Sequence, residues 1–283
     1  MKVIKISPRG YCGGVKKAIN TVKKLANNEN NKPIYLMGHL VHNTIVCDEL
    51  KQLGVIVLED EDKLKALDKI EKGTVVFSAH GIADSIYNKA LEKGLNAVKT
   101  TCLFVEKTDE IMKNYSSQNY TIFYIGIKNH PESINALLDK ENTYLITNEN
   151  DIPLNIKGDI LVTNQTTLNF KNLYSLHKKI KELYPNVLIM NELCNQTRLR
   201  QEALIEYNKN VDLCIIVGDM LSNNTKSLKQ ISEEFTKTKT IIVDSLKSLD
   251  KSLLSCEMTV SITSGASTPN ELTNEIINYL EKL

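Results

Sequence analysis

Three cysteines, Cys12, Cys102 and Cys194, stand 90 and 92 residues apart, each between a strand-like apolar run and a helix-like stretch. The stretches that follow them are GGVKKAINTVKKL, LFVEKTDEIMKNY and NQTRLRQEALIEY. A thiol at a helix start meets unpaired N–H groups and the positive end of the helix dipole, which favour the thiolate. Gly13 and Gly14, directly behind Cys12, leave room for a bulky group against the backbone. The close C-x₂₋₄-C pairs of structural zinc are absent. An iron–sulfur cluster, by contrast, takes soft thiolates from distant segments. Three thiolates could hold three irons of a 4Fe–4S cube and leave the fourth as an open Lewis-acid and redox position. The other cysteines, Cys47, Cys214 and Cys256, lie in or beside apolar and helical runs and are read as packing residues.

Polar loops recur in step with the three thiols. After each cysteine a further strand-like run ends in glycine and a polar loop: GHLVHN at 38–43, GIKNHPE at 126–132 and GDMLSNN at 218–224. A second set follows later: SAHG at 78–81, TNQTT at 163–167 and SGAST at 264–268. Four of the five histidines, His39, His42, His80 and His130, sit in these loops, and His177 is expected on a solvated helix face. His39 is read as structural. Ser222, Asn224, Thr225, Ser267 and Thr268 precede helices, where capping and anion binding compete for the same N–H groups. Only three of the 35 basic residues are arginines. Two histidines with hydroxyls and amides would therefore have to cradle an anion such as a diphosphate. Glu132 opens a helix after His130-Pro131; buried in a dry site its pKa would rise and let it carry protons near neutral pH. Thr166 and Thr167 could cap the helix beginning near Asn169 or hydrogen-bond a substrate hydroxyl.

The elements that must hold these loops alternate along the whole chain. Strand-like runs include VIKI at 3–6, IYLM at 34–37, VIVL at 55–58, VVFS at 75–78, TIFYIG at 121–126 and DILVT at 159–163. Later come VLIM at 187–190, CIIVG at 214–218, TIIVDS at 240–245 and TVSITS at 259–264, with helical patterns between most of them. This predicts an α/β fold of three pseudo-symmetric lobes with small, mainly parallel sheets, trefoil-like around a central cluster. The expected lobes are residues 1–95, 96–186 and 187–283, the last with a C-terminal helix. Polar residues at the carboxyl ends of parallel strands lie where open α/β sheets bind ligands.

Bulk properties exclude several classes. The 283 residues are 42% hydrophobic and 24% charged with a net charge of +1, so neither nucleic acid nor an anionic membrane is a favoured partner. The start MKVIKISPRG has too short an apolar run for a signal peptide, and nothing approaches about 18 consecutive apolar residues. A cytoplasmic location is expected, where six cysteines argue for metal, catalysis or packing over disulfides.

Together GYCGGVKKAI, LVHN, FSAHG, TTC, NHPE, NQTT, LCNQTRLRQEA, SNNT and TSGAST resemble the 4-hydroxy-3-methylbut-2-enyl diphosphate reductase family, the last step of the methylerythritol phosphate route to isoprenoids. The resemblance covers essentially the whole chain. It implies a 4Fe–4S cluster on Cys12, Cys102 and Cys194, and a diphosphate held by His42, His80, Ser222, Asn224 and Ser267. His130, Glu132 and Thr166 would handle the substrate hydroxyl and its proton, with Thr167 and Asn223 also at the substrate. The implied reaction is reductive dehydroxylation to isopentenyl and dimethylallyl diphosphates by two one-electron reductions, with Glu132 as proton donor and ferredoxin or flavodoxin as electron source. Three positions depart from the family pattern: Asn223 replaces a serine, Leu103 a proline and Asn129 a glycine. Rival readings are a non-redox iron–sulfur hydro-lyase and a non-catalytic iron–sulfur or diphosphate sensor. A thiol peroxidase fits least, because it needs an attacking and a resolving thiol, not three equivalent ones.

Overall fold

In the run IYLM, Ile34 and Leu36 face one apolar layer while Tyr35 and Met37 face another. This two-residue alternation with both faces covered is the signature of a sheet sandwiched between helices. The computed structural model describes residues 1–59 and 62–283. From the N-terminus the chain forms β1 (Lys2–Lys5), α1 (Gly13–Ala26), β2 (Ile34–Met37), α2 (Thr44–Gln52), β3 (Val55–Leu58), α3 (Lys63–Asp68), β4 (Thr74–Phe77), α4 (Asp84–Glu92) and β5 (Asn96–Lys99). There follow α5 (Leu103–Ser116), β6 (Thr121–Ile125), α6 (Pro131–Leu137), β7 (Thr143–Ile146), β8 (Ile160–Asn164), α7 (Phe170–Leu183) and β9 (Leu188–Ile189). The last section is α8 (Asn195–Tyr207), β10 (Leu213–Val217), α9 (Asn223–Ile231), β11 (Thr240–Val243), β12 (Thr259–Ser264) and α10 (Asn270–Leu280).

Three four-stranded sheets result, in the orders β3-β2-β4-β5, β7-β6-β8-β9 and β11-β10-β12-β1, and every pairing is parallel. The fold is therefore the three-lobed, trefoil-like α/β arrangement. Each lobe has its own apolar layers; in the first, α1 contributes Ala18, Ile19, Val22 and Ala26 on one stripe. In the second lobe α7 does the same with Leu173, Leu176 and Ile180.

The sheet pairings do not follow the divisions at 95/96 and 186/187. The strand before each cysteine closes the preceding sheet: β5 pairs with β4 ahead of Cys102, and β9 pairs with β8 ahead of Cys194. The third sheet takes its fourth strand from the chain's start, where β1 pairs with β12 ahead of Cys12. The three repeats thus form a closed ring, and residues 1–6 belong by hydrogen bonding with the third sheet. Among the described residues, no helix is long and apolar enough to cross a membrane.

Two single-residue expectations are corrected. His177 is buried, because it shares the α7 face of Leu173, Leu176 and Ile180. Cys256 is exposed beyond the end of the apolar layers, so it is not a packing residue.

Candidate active site

Each of the three cysteines is the N-cap of the helix that follows it: Cys12 of α1, Cys102 of α5 and Cys194 of α8. Each is tied by its backbone N–H to the equivalent loop of the preceding repeat. The Cys12 amide donates to the Ala266 carbonyl at 3.0 Å, that of Cys102 to Ala79 at 3.1 Å, and that of Cys194 to Thr166 at 2.9 Å. One hydrogen bond repeated three times fixes the thiols around a common centre. The Cys12 sulfur also accepts from the Val15 amide at 3.4 Å, whereas burial pushes the Cys102 and Cys194 thiols up.

Gly14 shows how closely the thiols approach. A Cβ there would stand 2.9 Å from the Cys102 Sγ and 4.0 Å from the Cys12 Sγ. The second glycine of YCGG is thus the space into which the Cys102 sulfur projects. Leu103 is the first residue of α5 and is exposed, a position that suits proline but does not require it.

One cavity is lined by Cys12, Cys102 and Cys194 together with His42, His80, His130, Glu132, Thr166, Thr167, Ser222, Asn223, Asn224 and Ser267. These residues come from all three lobes; of the other candidates before helices, Thr225 and Thr268 are buried and do not line the cavity. His42, His80 and His130 form a triangle with ring centroids 4.5, 5.2 and 5.3 Å apart, and the Nε2 atoms of His42 and His130 are 3.2 Å apart. Burial is the main cause that holds His42 down to about 4, His130 to about 3, and His80 well below the usual imidazole range. Neighbouring imidazoles add to it: His39 for His42, His42 for His130, and both His42 and His130 for His80. The rings are neutral at neutral pH, and the Nε2 of His80 is buried without a partner. An anion placed among them would supply the missing acceptor and raise all three pKa values.

On the opposite side, the helix starts and loops are already organised. Ser222 caps α9, its Oγ accepting from the Thr225 amide at 3.4 Å. Asn224 is held from both ends: its Oδ1 accepts from the Ala266 amide at 3.1 Å and its Nδ2 donates to the Thr197 hydroxyl at 3.4 Å. Ser267 does not cap α10; its hydroxyl donates to the His42 carbonyl at 3.1 Å, joining the third lobe to the first. Asn223 is the first residue of α9, so its backbone N–H is free of any helical partner.

Glu132 is 4% exposed. Its Oε1 accepts from the Thr166 amide at 2.8 Å and from the Tyr124 hydroxyl at 3.4 Å, and its Oε2 accepts from the Thr166 hydroxyl at 3.1 Å. Burial raises its pKa to about 7 against the opposing pull of those three donors. Thr166 thereby holds the carboxyl with its N–H and hydroxyl while its carbonyl holds Cys194. Neither Thr166 nor Thr167 caps α7, since the Asn169 side chain does so through the Lys171 amide. His130 is the N-cap of α6, its Nδ1 accepting from the Glu132 amide at 3.2 Å, which turns Nε2 into the cavity toward His42. The turn before it needs a left-handed residue, and Asn129 adopts φ 63°, the conformation asparagine tolerates best after glycine.

Sequence reasoning missed Tyr124 and Arg200. Tyr124 lies inside an apolar strand and reads as core. Arg200 follows Cys194 on α8, and its rarity in this chain was the available signal.

What the fold and site define is a class: a three-lobed α/β protein in which cysteines at three helix N-caps line one cavity with three histidines and a buried carboxyl. Residues 3–281 match the profile of a family described as LytB protein. A 4-hydroxy-3-methylbut-2-enyl diphosphate reductase of Geobacillus sp. (strain WCH70) is 41% identical over 286 residues, covering 100% of this chain and 91% of that protein. One from Symbiobacterium thermophilum is 41% identical over 287 residues, covering 100% and 97%. The solved structure of the E-1-hydroxy-2-methyl-but-2-enyl-4-diphosphate reductase from Plasmodium falciparum superposes with a TM-score of 0.89 at 32% identity, over 99% of this chain and 87% of that one. The chain belongs to the LytB protein family.

Proposed function

We propose that this protein is a 4-hydroxy-3-methylbut-2-enyl diphosphate reductase, which removes the substrate hydroxyl as water and yields isopentenyl and dimethylallyl diphosphates. Relatives that match the whole of this chain carry that name. The observation that supports the chemistry best is the convergence of three helix-capping cysteines on one cavity that also contains a buried, protonatable Glu132. The donor set fits a 4Fe–4S cluster: three soft thiols, no fourth cysteine in the cavity, and a glycine where a Cβ would obstruct a sulfur. Cys12, Cys102 and Cys194 would hold that cluster, which supplies single electrons and a Lewis-acid position. A one-electron protein donor of the ferredoxin or flavodoxin kind would refill it twice per turnover.

The chain's own residues do the rest. His42 and His80, with Ser222, Asn223, Asn224 and Ser267, bind the diphosphate at the start of α9, where unpaired N–H groups meet negative charge. Anchoring that end fixes how far the allylic hydroxyl reaches toward the thiols. The two-electron reduction takes up two protons. Glu132, protonated near neutral pH, gives one to the leaving oxygen, and a second goes to the allylic carbon to form the new C–H bond. Thr166 fixes the carboxyl and His130 orients the hydroxyl. Glu132, His130 and Thr166 are themselves buried, which limits competition from solvent for the proton that Glu132 holds.

Anaerobic incubation with the allylic diphosphate, with and without a one-electron reductant, tests the reading. Reductant-dependent formation of the two product diphosphates is expected. Turnover without reductant would make the protein a hydro-lyase, and tight binding without turnover in either condition would make it a sensor.

A further inference from the structure

Arg200 is 2% exposed, the largest of the fully buried side chains. It projects from α8, six residues after Cys194. One terminal nitrogen, Nη1, donates to the carbonyls of Pro8 and Ser264, both at 3.0 Å, and Nη2 donates to the Gly10 carbonyl at 2.7 Å. These bonds clamp the loop that carries Cys12 against the end of β12. Carbonyls are neutral, however, and a guanidinium does not lose its proton in a protein. Among the described residues no carboxylate pairs with Arg200; it stands on the helix that starts at Cys194 and reaches the Pro8 and Gly10 carbonyls of the loop that carries Cys12. Its Nε is buried without a partner. A buried cation with no countercharge is strongly unfavourable, and such groups are kept where an anion joins them.

We propose that Arg200 is the fixed countercharge of the three-cysteine site, stabilising its anionic, iron-loaded form and easing the arrival of each electron. This rests on the iron–sulfur reading above and goes beyond it, since Arg200 is a positioning and tuning residue that touches no substrate. A positive charge fixed in a low-dielectric interior favours the more negative of two redox states, so its loss drives the reduction potential down. The same charge favours loading over the iron-free state, because loading brings the anion that the guanidinium lacks.

The test compares the wild type with Arg200→Gln and Arg200→Lys, each purified and reconstituted anaerobically. Two quantities are read: the midpoint potential by EPR-monitored titration, and the rise in melting temperature on cluster loading. Arg200→Gln should shift the potential to more negative values and shrink the melting-temperature rise, while Arg200→Lys stays close to the wild type on both. A purely structural clamp would instead lower the melting temperatures of loaded and iron-free protein equally and leave the potential unmoved, which overturns the proposal. Should Arg200→Gln fail to fold, the wild type still decides the matter through its Nε–H signals, readable because the chain has only three arginines. The Arg200 signal should shift or broaden on loading, and an unchanged signal overturns the proposal. If the wild type itself takes up no iron and sulfide, the iron–sulfur reading fails and this inference with it. If the wild type loads and Arg200→Gln matches it in both quantities, only the role of Arg200 falls.

Discussion

Replacing Glu132 by glutamine separates its chemistry from its place in the structure. Glutamine keeps the shape, and its Oε1 can still accept from the Thr166 amide, while the Thr166 hydroxyl can turn to accept from the new NH₂. What is lost is the titratable proton. In the folded protein burial raises the Glu132 pKa from 4.5 to about 7. A raised pKa means that the native state binds this proton more tightly than the unfolded chain does. Its contribution is complete below pH 4.5, and it is lost as pH rises toward and through about 7. The difference corresponds to about 3 kcal/mol at the alkaline end. Unfolding of wild type and Glu132→Gln by urea should therefore give curves of stability against pH that diverge between mildly acidic and mildly alkaline conditions, the wild type falling relative to the variant. Turnover by the variant should drop by about 10²–10⁴-fold, the range for loss of a general acid. In the wild type activity should decline as pH passes upward through about 7. A stability difference that stays flat with pH would refute the raised pKa, and wild-type-like turnover in the variant would remove Glu132 from proton delivery.

Thr166→Val removes a hydroxyl that favours the ionised carboxylate, so the alkaline limb of the pH–rate profile should move upward while the rate falls. Gly14→Ala should gain about 1 kcal/mol of helix propensity yet push the Cys102 sulfur out of place; iron-free protein should melt near the wild type while iron retained per chain drops. For the histidines, the free-state pKa values lie low and an anion raises them, so binding takes up protons. Affinity for inorganic diphosphate, read by calorimetry, should weaken as pH rises through the bound-state pKa, and His80→Asn should flatten that dependence.

Much of the site was legible because its chemistry sits at fixed places in a repeating layout. The recurring strand-end loops pointed to His42, His80 and His130, the family resemblance added roles for Glu132 and Thr166, and one cavity contains them all with the three thiols. Two strands escaped notice. The NAVK run of β5 and the TYLI run of β7 are short, with Asn96, Lys99 and Tyr144 turned to solvent, so neither presents a continuous apolar stretch. The expected lobe limits stand one strand ahead of the change of sheet, since β5 and β9 each pair with the preceding sheet and that pairing leaves no mark in the local sequence. The pairing of β1 with β12 joins positions some 250 residues apart, and no local pattern encodes it. His177 could have been placed: with Leu173, Leu176 and Ile180 it follows the spacing of a buried helix face. For Arg200 only the scarcity of arginine gave a hint, since an arginine on a polar helix otherwise reads as solvated.

The central claim is that thiols from three lobes meet to hold one redox group. Iron and acid-labile sulfide counted per chain, in anaerobically purified wild type and in Cys12→Ser, Cys102→Ser and Cys194→Ser, test it most directly. The account predicts about four of each in the wild type and a marked fall in every serine variant. A colourless, iron-free wild type, or serine variants that keep the full complement, would contradict it.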